Sequence, residues 1–176
     1  DTAVIVIARV GGEGTDLPTD LGAKDEEGNN LYTYTDNSTE YSDFESGQHY
    51  LELSQTERNM VNIVCKNFDH VIVICNSSNA MELGWVDEYK QIGSVISCPG
   101  AGETGFAALG KILNGEVNPS GKLADTYVYD LTATPAFNNF GDFTYENMDE
   151  FGWEESNPFS GETKLNDVNF VNYVEN

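Results

Sequence analysis

Three short apolar runs stand out along the chain: Ala3-Val4-Ile5-Val6-Ile7-Ala8, Val71-Ile72-Val73-Ile74-Cys75 and Ser94-Val95-Ile96-Ser97-Cys98. The first two show no polar alternation. Each therefore reads as a strand buried on both faces, the habit of parallel sheets. Between the runs the period becomes helical. Ser54 and Glu57 form the Ser-x-x-Glu capping box, and Met60, Val61, Val64, Cys65 and Phe68 recur at helical spacing. A polar turn, Asn76-Ser77-Ser78-Asn79, leads to a short helix expected from Ala80 to about Tyr89. A further helix is expected from Gly102 to Asn114, with Phe106, Leu109, Ile112 and Leu113 as its stripe and Gly115 as its C-terminal cap. Strand and helix alternate three times. That pattern predicts an α/β fold, a three-layer sandwich with a mostly parallel sheet flanked by helices in a flavodoxin-like arrangement.

Two stretches lack any period. Residues 18–49 are rich in Asp, Glu, Asn, Ser, Thr, Gly and Tyr, and read as a long insertion able to cover the loop after the first strand. Residues 130–176 form an irregular, acidic, aromatic-rich extension, including Phe137, Phe140, Trp153 and Tyr173. The expected division is a sandwich domain at 1–129 and an extension at 130–176 that packs on it or on a neighbouring domain. Exposed rings there could instead stack on sugars.

Charge narrows the partners. Thirty acidic residues against eight basic ones, in 176, give a net charge of −22. Such a surface repels nucleic acid and anionic lipid, so neither is expected as a partner. No membrane-spanning run or signal peptide is visible, and the compartment stays open. Cys65, Cys75 and Cys98 sit at no metal-ligand spacing and read as small buried hydrophobes, without a disulfide framework.

The first strand runs into Gly11-Gly12-Glu13-Gly14-Thr15-Asp16. Chemistry in open α/β sheets gathers at the carboxyl ends of strands, and right-handed crossovers bring those ends to one edge. Glu13 is therefore the first catalytic candidate, sharing that edge with Asn76 and Glu103. A plain solvent-exposed loop accounts for the same residues. Other chemistries are poorly served. Gly100-Ala101-Gly102-Glu103-Thr104-Gly105 has the spacing of a dinucleotide loop but reads better as a tight turn into a helix. His49 and His70 do not cluster with acids at metal spacing, so no metal and no cofactor are expected. No Gly-x-Ser-x-Gly elbow occurs. Proton transfer by a carboxylate remains. A retaining glycosidase needs two carboxyls roughly 5 to 5.5 Å apart across the scissile bond. Asp16 is near Glu13 in sequence but would approach from the same side.

The segment Gly115-Glu116-Val117-Asn118-Pro119-Ser120-Gly121-Lys122-Leu123 resembles the Gly-x-x-Asn-Pro-Ser-Gly-Lys-Leu stretch of the C-terminal α/β sandwich domain of family 3 glycoside hydrolases, the β-glucosidase family. Pro99-Gly100, Gly105-x-Ala107-Ala108-Leu109, Asn76 with Met81-Glu82-Leu83-Gly84-Trp85, Ser54-Gln55, Asp125-Thr126-Tyr127 and Pro135-Ala136-Phe137-x-Asn139-Phe140-Gly141 are similar to further family segments. Gly84 replaces a proline, and Thr15 and Leu17 depart from the family's usual Tyr or His and Arg.

The resemblance implies that Glu13 is the general acid/base and that Asp16 contacts substrate. It implies a β-linked glucoside or similar saccharide as substrate. It also implies a partner (β/α)8 barrel domain, N-terminal to this one, carrying the nucleophilic Asp. The chain then reads as a part-enzyme, a fragment lacking the barrel and the front of the sandwich, and inactive alone. The alternatives are a non-catalytic sugar-binding or interdomain scaffold, in which Glu13 is only a polar loop residue, and a flavodoxin-like nucleotide binder, which rests on topology alone.

Overall fold

The computed structural model describes residues 1–11, 17–21, 24–29 and 43–138. The chain divides into two compact units, Asp1–Tyr129 and Asp130–Asn176.

Unit one is an α/β arrangement built on a three-stranded parallel sheet. Strands β1 (Thr2–Arg9), β2 (His70–Ser77) and β3 (Ile92–Ser97) lie in the order β1-β2-β3. Helix α1 (Gln55–Asn67) joins β1 to β2, and a 3₁₀ turn over Gly84–Glu88 joins β2 to β3. Both crossovers pack on the same sheet face. Val61 and Cys65 of α1 and Trp85 of the turn share one buried cluster with Ile5, Ile7, Val71, Val73 and Cys75. Successive strands added in one direction with a single crossover hand put both connections on one side.

The α1 start follows the sequence signal. Ser54 Oγ accepts the Glu57 N–H at 3.3 Å, and the Glu57 carboxylate accepts the Ser54 N–H at 2.9 Å. Two orphan amides of the first turn are satisfied this way. Phe68 differs from expectation: it is the C-cap, in extended backbone and part exposed, while Met60 and Val64 lean on the core.

Four other expectations are corrected. First, β1 is not buried on both faces, because Val4 and Val6 are 45% and 52% exposed. Both lie on the face opposite α1, and β1 is an edge strand of this sheet. Second, Asn76 and Ser77 continue β2 rather than turning. Their backbone pairs with Ala8 and Arg9 of β1, so ladder pairing overrides their turn preference. Third, the expected helix after residue 80 shrinks to the 3₁₀ turn at Gly84–Glu88. Its entry is held by the Leu83 N–H donating to the Val128 carbonyl at 3.2 Å. Gly84 lies so close to the Tyr129 carbonyl that any Cβ there would overlap it. Fourth, β3 begins at Ile92. A register irregularity opposite Val71 and Ile72 takes up Gly93 before regular pairing resumes at Ser94.

Helix α2 (Phe106–Leu113) is shorter than expected and buries only Leu109 of its stripe, leaving Phe106 and Leu113 open. Gly115 closes it with φ of +80°, as a glycine after a helix end does. Cys65 and Cys75 are buried and Cys98 only half-buried; all three are free thiols.

In unit two, Asp130 caps a 3₁₀ turn over Leu131–Ala133, its Oδ1 accepting the Thr132 N–H at 2.8 Å. The short helix α3 (Pro135–Asn138) follows. Phe140, Trp153 and Tyr173 lie outside the described residues. No helix among the described residues is long and apolar enough to cross a membrane.

Candidate active-site edge of the sheet

Parallel pairing brings the strand C-termini to one edge. Arg9 is opposite Ser77, and Cys75 is opposite Ser97. The loops that leave β1 and β2 there are neighbours: a Cβ on Gly11 would come within 2.6 Å of Asn79 Oδ1. Glycine at 11 thus permits the close approach of the two loops. Glu13 and Asp16 lie outside the described residues, two and five positions beyond Gly11. Asn76 sits half-buried within β2, across from Ala8. Glu103 is exposed in the turn before α2.

The best-held residue at this edge is one the sequence argument passed over. Arg9, the last residue of β1, carries a nearly buried guanidinium. Its Nη1 and Nη2 donate to the two carboxylate oxygens of Glu57 at 2.6 and 2.5 Å. The guanidinium also lies over the rings of Tyr50 and Phe44, 5.4 and 5.7 Å from their centroids. Burial of an arginine requires such pairing, because an uncompensated charge in the interior is strongly penalised. An arginine directly after an apolar run, with a capping-box glutamate elsewhere, was the only available signal.

The insertion is anchored in part. Leu21, His49 and Tyr50 are buried. His49 Nδ1 accepts the Leu51 N–H at 3.2 Å, which puts the neutral ring's proton on Nε2. Nε2 faces Glu82 Oε2 at 3.3 Å and Glu52 Oε2 at 3.7 Å. The fold therefore gathers acids around His49 that are 3 and 33 positions away, which sequence spacing did not reveal. Among the described residues no group of three or more His, Cys, Asp and Glu is placed to hold a metal.

Burial raises the Cys75 thiol to about 11; nearby Arg9 opposes this and Glu57 adds to it. It is therefore a protonated, unreactive thiol at neutral pH. Tyr129 donates to Asp87, and that bond with the carboxylate's charge pushes its phenol upward. On the other side of β3 a cavity of about 500 Å³ lies between the strand, α2 and residues 119–127, lined in part by Val95, Leu109, Ile112 and Ser97. Tyr127 Oη donates to Ser97 Oγ across it at 3.1 Å.

A parallel sheet with both crossovers on one face and its strand-end loops gathered at one edge defines an open α/β domain of the kind that carries function in those loops. The glycosyl hydrolase family 3 C-terminal domain matches residues 1–163, and the chain belongs to that family. It is 36% identical over 149 residues to beta-glucosidase A of Butyrivibrio fibrisolvens, covering 80% of this chain and 16% of that protein. It is 29% identical over 140 residues to a beta-glucosidase of Ruminococcus albus, covering 80% of this chain and 12% of that protein. It is 30% identical over 91 residues to thermostable beta-glucosidase B of Acetivibrio thermocellus, covering 52% and 12%. The chain thus matches about one-sixth or less of the length of these relatives. No solved structure matches it.

Proposed function

We propose that this chain is the part of a retaining exo-β-glycosidase, of β-glucosidase type, that supplies the general acid/base carboxylate, and that Glu13 is that group. The observation that carries the reading is positional. β1 ends at the edge where the three parallel strands end, and Gly12-Glu13-Gly14 follows it closely in the sequence. Family membership and the beta-glucosidase names of the relatives support the reaction class.

In the first half of the reaction the protonated Glu13 carboxyl gives its proton to the glycosidic oxygen as the C1–O bond breaks. An aspartate from a (β/α)8 barrel elsewhere in the parent polypeptide takes C1 as an ester. In the second half the Glu13 carboxylate takes a proton from water as that water attacks C1. The aspartate leaves, and the Glu13 acid is restored. Asp16 is assigned a substrate contact. Both carboxylates are required, so the chain alone is inactive.

The test is Glu13→Ala in the full parent enzyme. Loss of the acid should slow alkyl β-glucosides by about 10²- to 10⁴-fold, while kcat/KM for dinitrophenyl β-glucoside changes little because that leaving group needs no proton. An equal loss on both substrates, or none, would favour a scaffold role for residue 13 and refute the proposal.

A further inference from the structure

Arg9 offers five N–H donors, and every one is engaged. Nε donates to the Tyr50 carbonyl at 2.6 Å. Nη1 donates to the Ala8 carbonyl at 2.8 Å and to Glu57 Oε1 at 2.6 Å. Nη2 donates to the Glu52 carbonyl at 2.6 Å and to Glu57 Oε2 at 2.5 Å. With its donors exhausted, Arg9 has none left for a sugar hydroxyl. What it grips is polypeptide: the end of β1, the turn at 50–52 and the first turn of α1.

The same grip extends into the following loop. The Val10 N–H donates to Tyr50 Oη at 3.2 Å, and Tyr50 is itself held by Arg9. Gly11 then lies against Asn79 of the neighbouring loop. The two residues that lead into Gly12-Glu13-Gly14 are thus fixed by β1, by the 50–52 turn and by the loop after β2. Glu13 follows Gly11 by two residues in the sequence.

We infer that the Arg9–Glu57 pair is a positioning device that holds the end of β1, from which the chain leads on to Glu13, and that Arg9 is a positioning residue for Glu13. The inference rests on the acid/base reading of Glu13. Lysine is a poor substitute here. Its ammonium presents three donors from one atom and cannot span three carbonyls and a bidentate carboxylate.

The test uses the full parent enzyme, normalised to titrated active sites so that unfolded protein is not counted. Arg9→Lys keeps the charge. The double variant Arg9→Met with Glu57→Gln removes both charges and keeps an acceptor for the Ser54 N–H. Each is assayed beside Glu13→Ala on an alkyl and a dinitrophenyl β-glucoside, with pH profiles and thermal unfolding. The expected result is a loss of roughly 10- to 100-fold in kcat/KM on the alkyl glucoside, little change on the dinitrophenyl glucoside, and a displaced alkaline limb, since a misplacement of an ångström is worth that much. Equal losses on both substrates, or unchanged rates on both, overturn the inference. If Glu13→Ala shows the leaving-group dependence and the Arg9 variants do not, the inference alone fails. If Glu13→Ala itself lacks that dependence, the acid/base reading fails and the inference falls with it.

Discussion

Glu57→Ala should be among the most damaging single substitutions in unit one, because the residue serves two structures at once. Its carboxylate closes the capping box on α1 and also receives both terminal nitrogens of Arg9. The Arg9 side chain is 6% exposed and that of Glu57 20%, so the pair is largely dry. Removing one partner of a buried ion pair costs about 3–5 kcal/mol. Arg9 keeps three carbonyl acceptors, which argues for the lower end, about 3 kcal/mol. The Ser54 N–H also loses its acceptor, which adds about 1 kcal/mol. The sum, about 4 kcal/mol, is a large part of the roughly 5–15 kcal/mol that holds a domain together. Glu57→Gln keeps the acceptor for the Ser54 N–H and one for Arg9, and should cost about 2 kcal/mol. Urea unfolding followed by tryptophan fluorescence reads both, since Trp85 lies in the core that α1 packs against. A Glu57→Ala cost below about 1 kcal/mol would refute the claim that this carboxylate anchors Arg9.

Other consequences are more local. Cys75 has a thiol raised to about 11 by burial. The folded state therefore retains a proton that the unfolded chain releases above about pH 8.5. Stability from this group is full below that pH and is lost as pH rises toward 11, by up to about 1.4 kcal/mol per pH unit. Cys75→Ala should remove this alkaline loss from a pH series of urea midpoints; an unchanged slope contradicts the assignment. Under native conditions at pH 8 a thiol reagent should modify Cys98 well before Cys65 or Cys75, as peptide mapping would show, because only Cys98 is not fully buried. Gly84→Pro should destabilise by about 1–3 kcal/mol, since the new Cβ meets the Tyr129 backbone. Equal or higher thermal stability of that variant would show that residues 127–129 sit elsewhere.

Much of the framework was legible from pattern alone. Apolar runs announced β1, β2 and β3, and Ser54 with Glu57 announced the start of α1, because local signals and ladder pairing agree there. Exposure was not legible. Val4 and Val6 look like Ile5 and Ile7 in the sequence, and only the edge position of β1 separates an open face from a buried one. The extent of β2 was also hidden, since Asn76 and Ser77 prefer turns until β1 offers partners. For the site, the gathering of the strand ends at one edge was foreseen, while Arg9 was not. Its role depends on contacts 41 to 48 positions away that no spacing rule encodes. The acids around His49 were hidden for the same reason.

The central claim is that Glu13 exchanges protons with the glycosidic oxygen and with water. The most direct measurement follows the product formed by the Glu13→Ala parent enzyme from dinitrophenyl β-glucoside in the presence of azide. With the carboxylate gone, azide needs no deprotonation and can reach C1 of the glycosyl ester from the vacated side. The account predicts accumulation of the β-configured glycosyl azide together with a recovered turnover rate. Glucose as the only product, at a rate indifferent to azide, would contradict it.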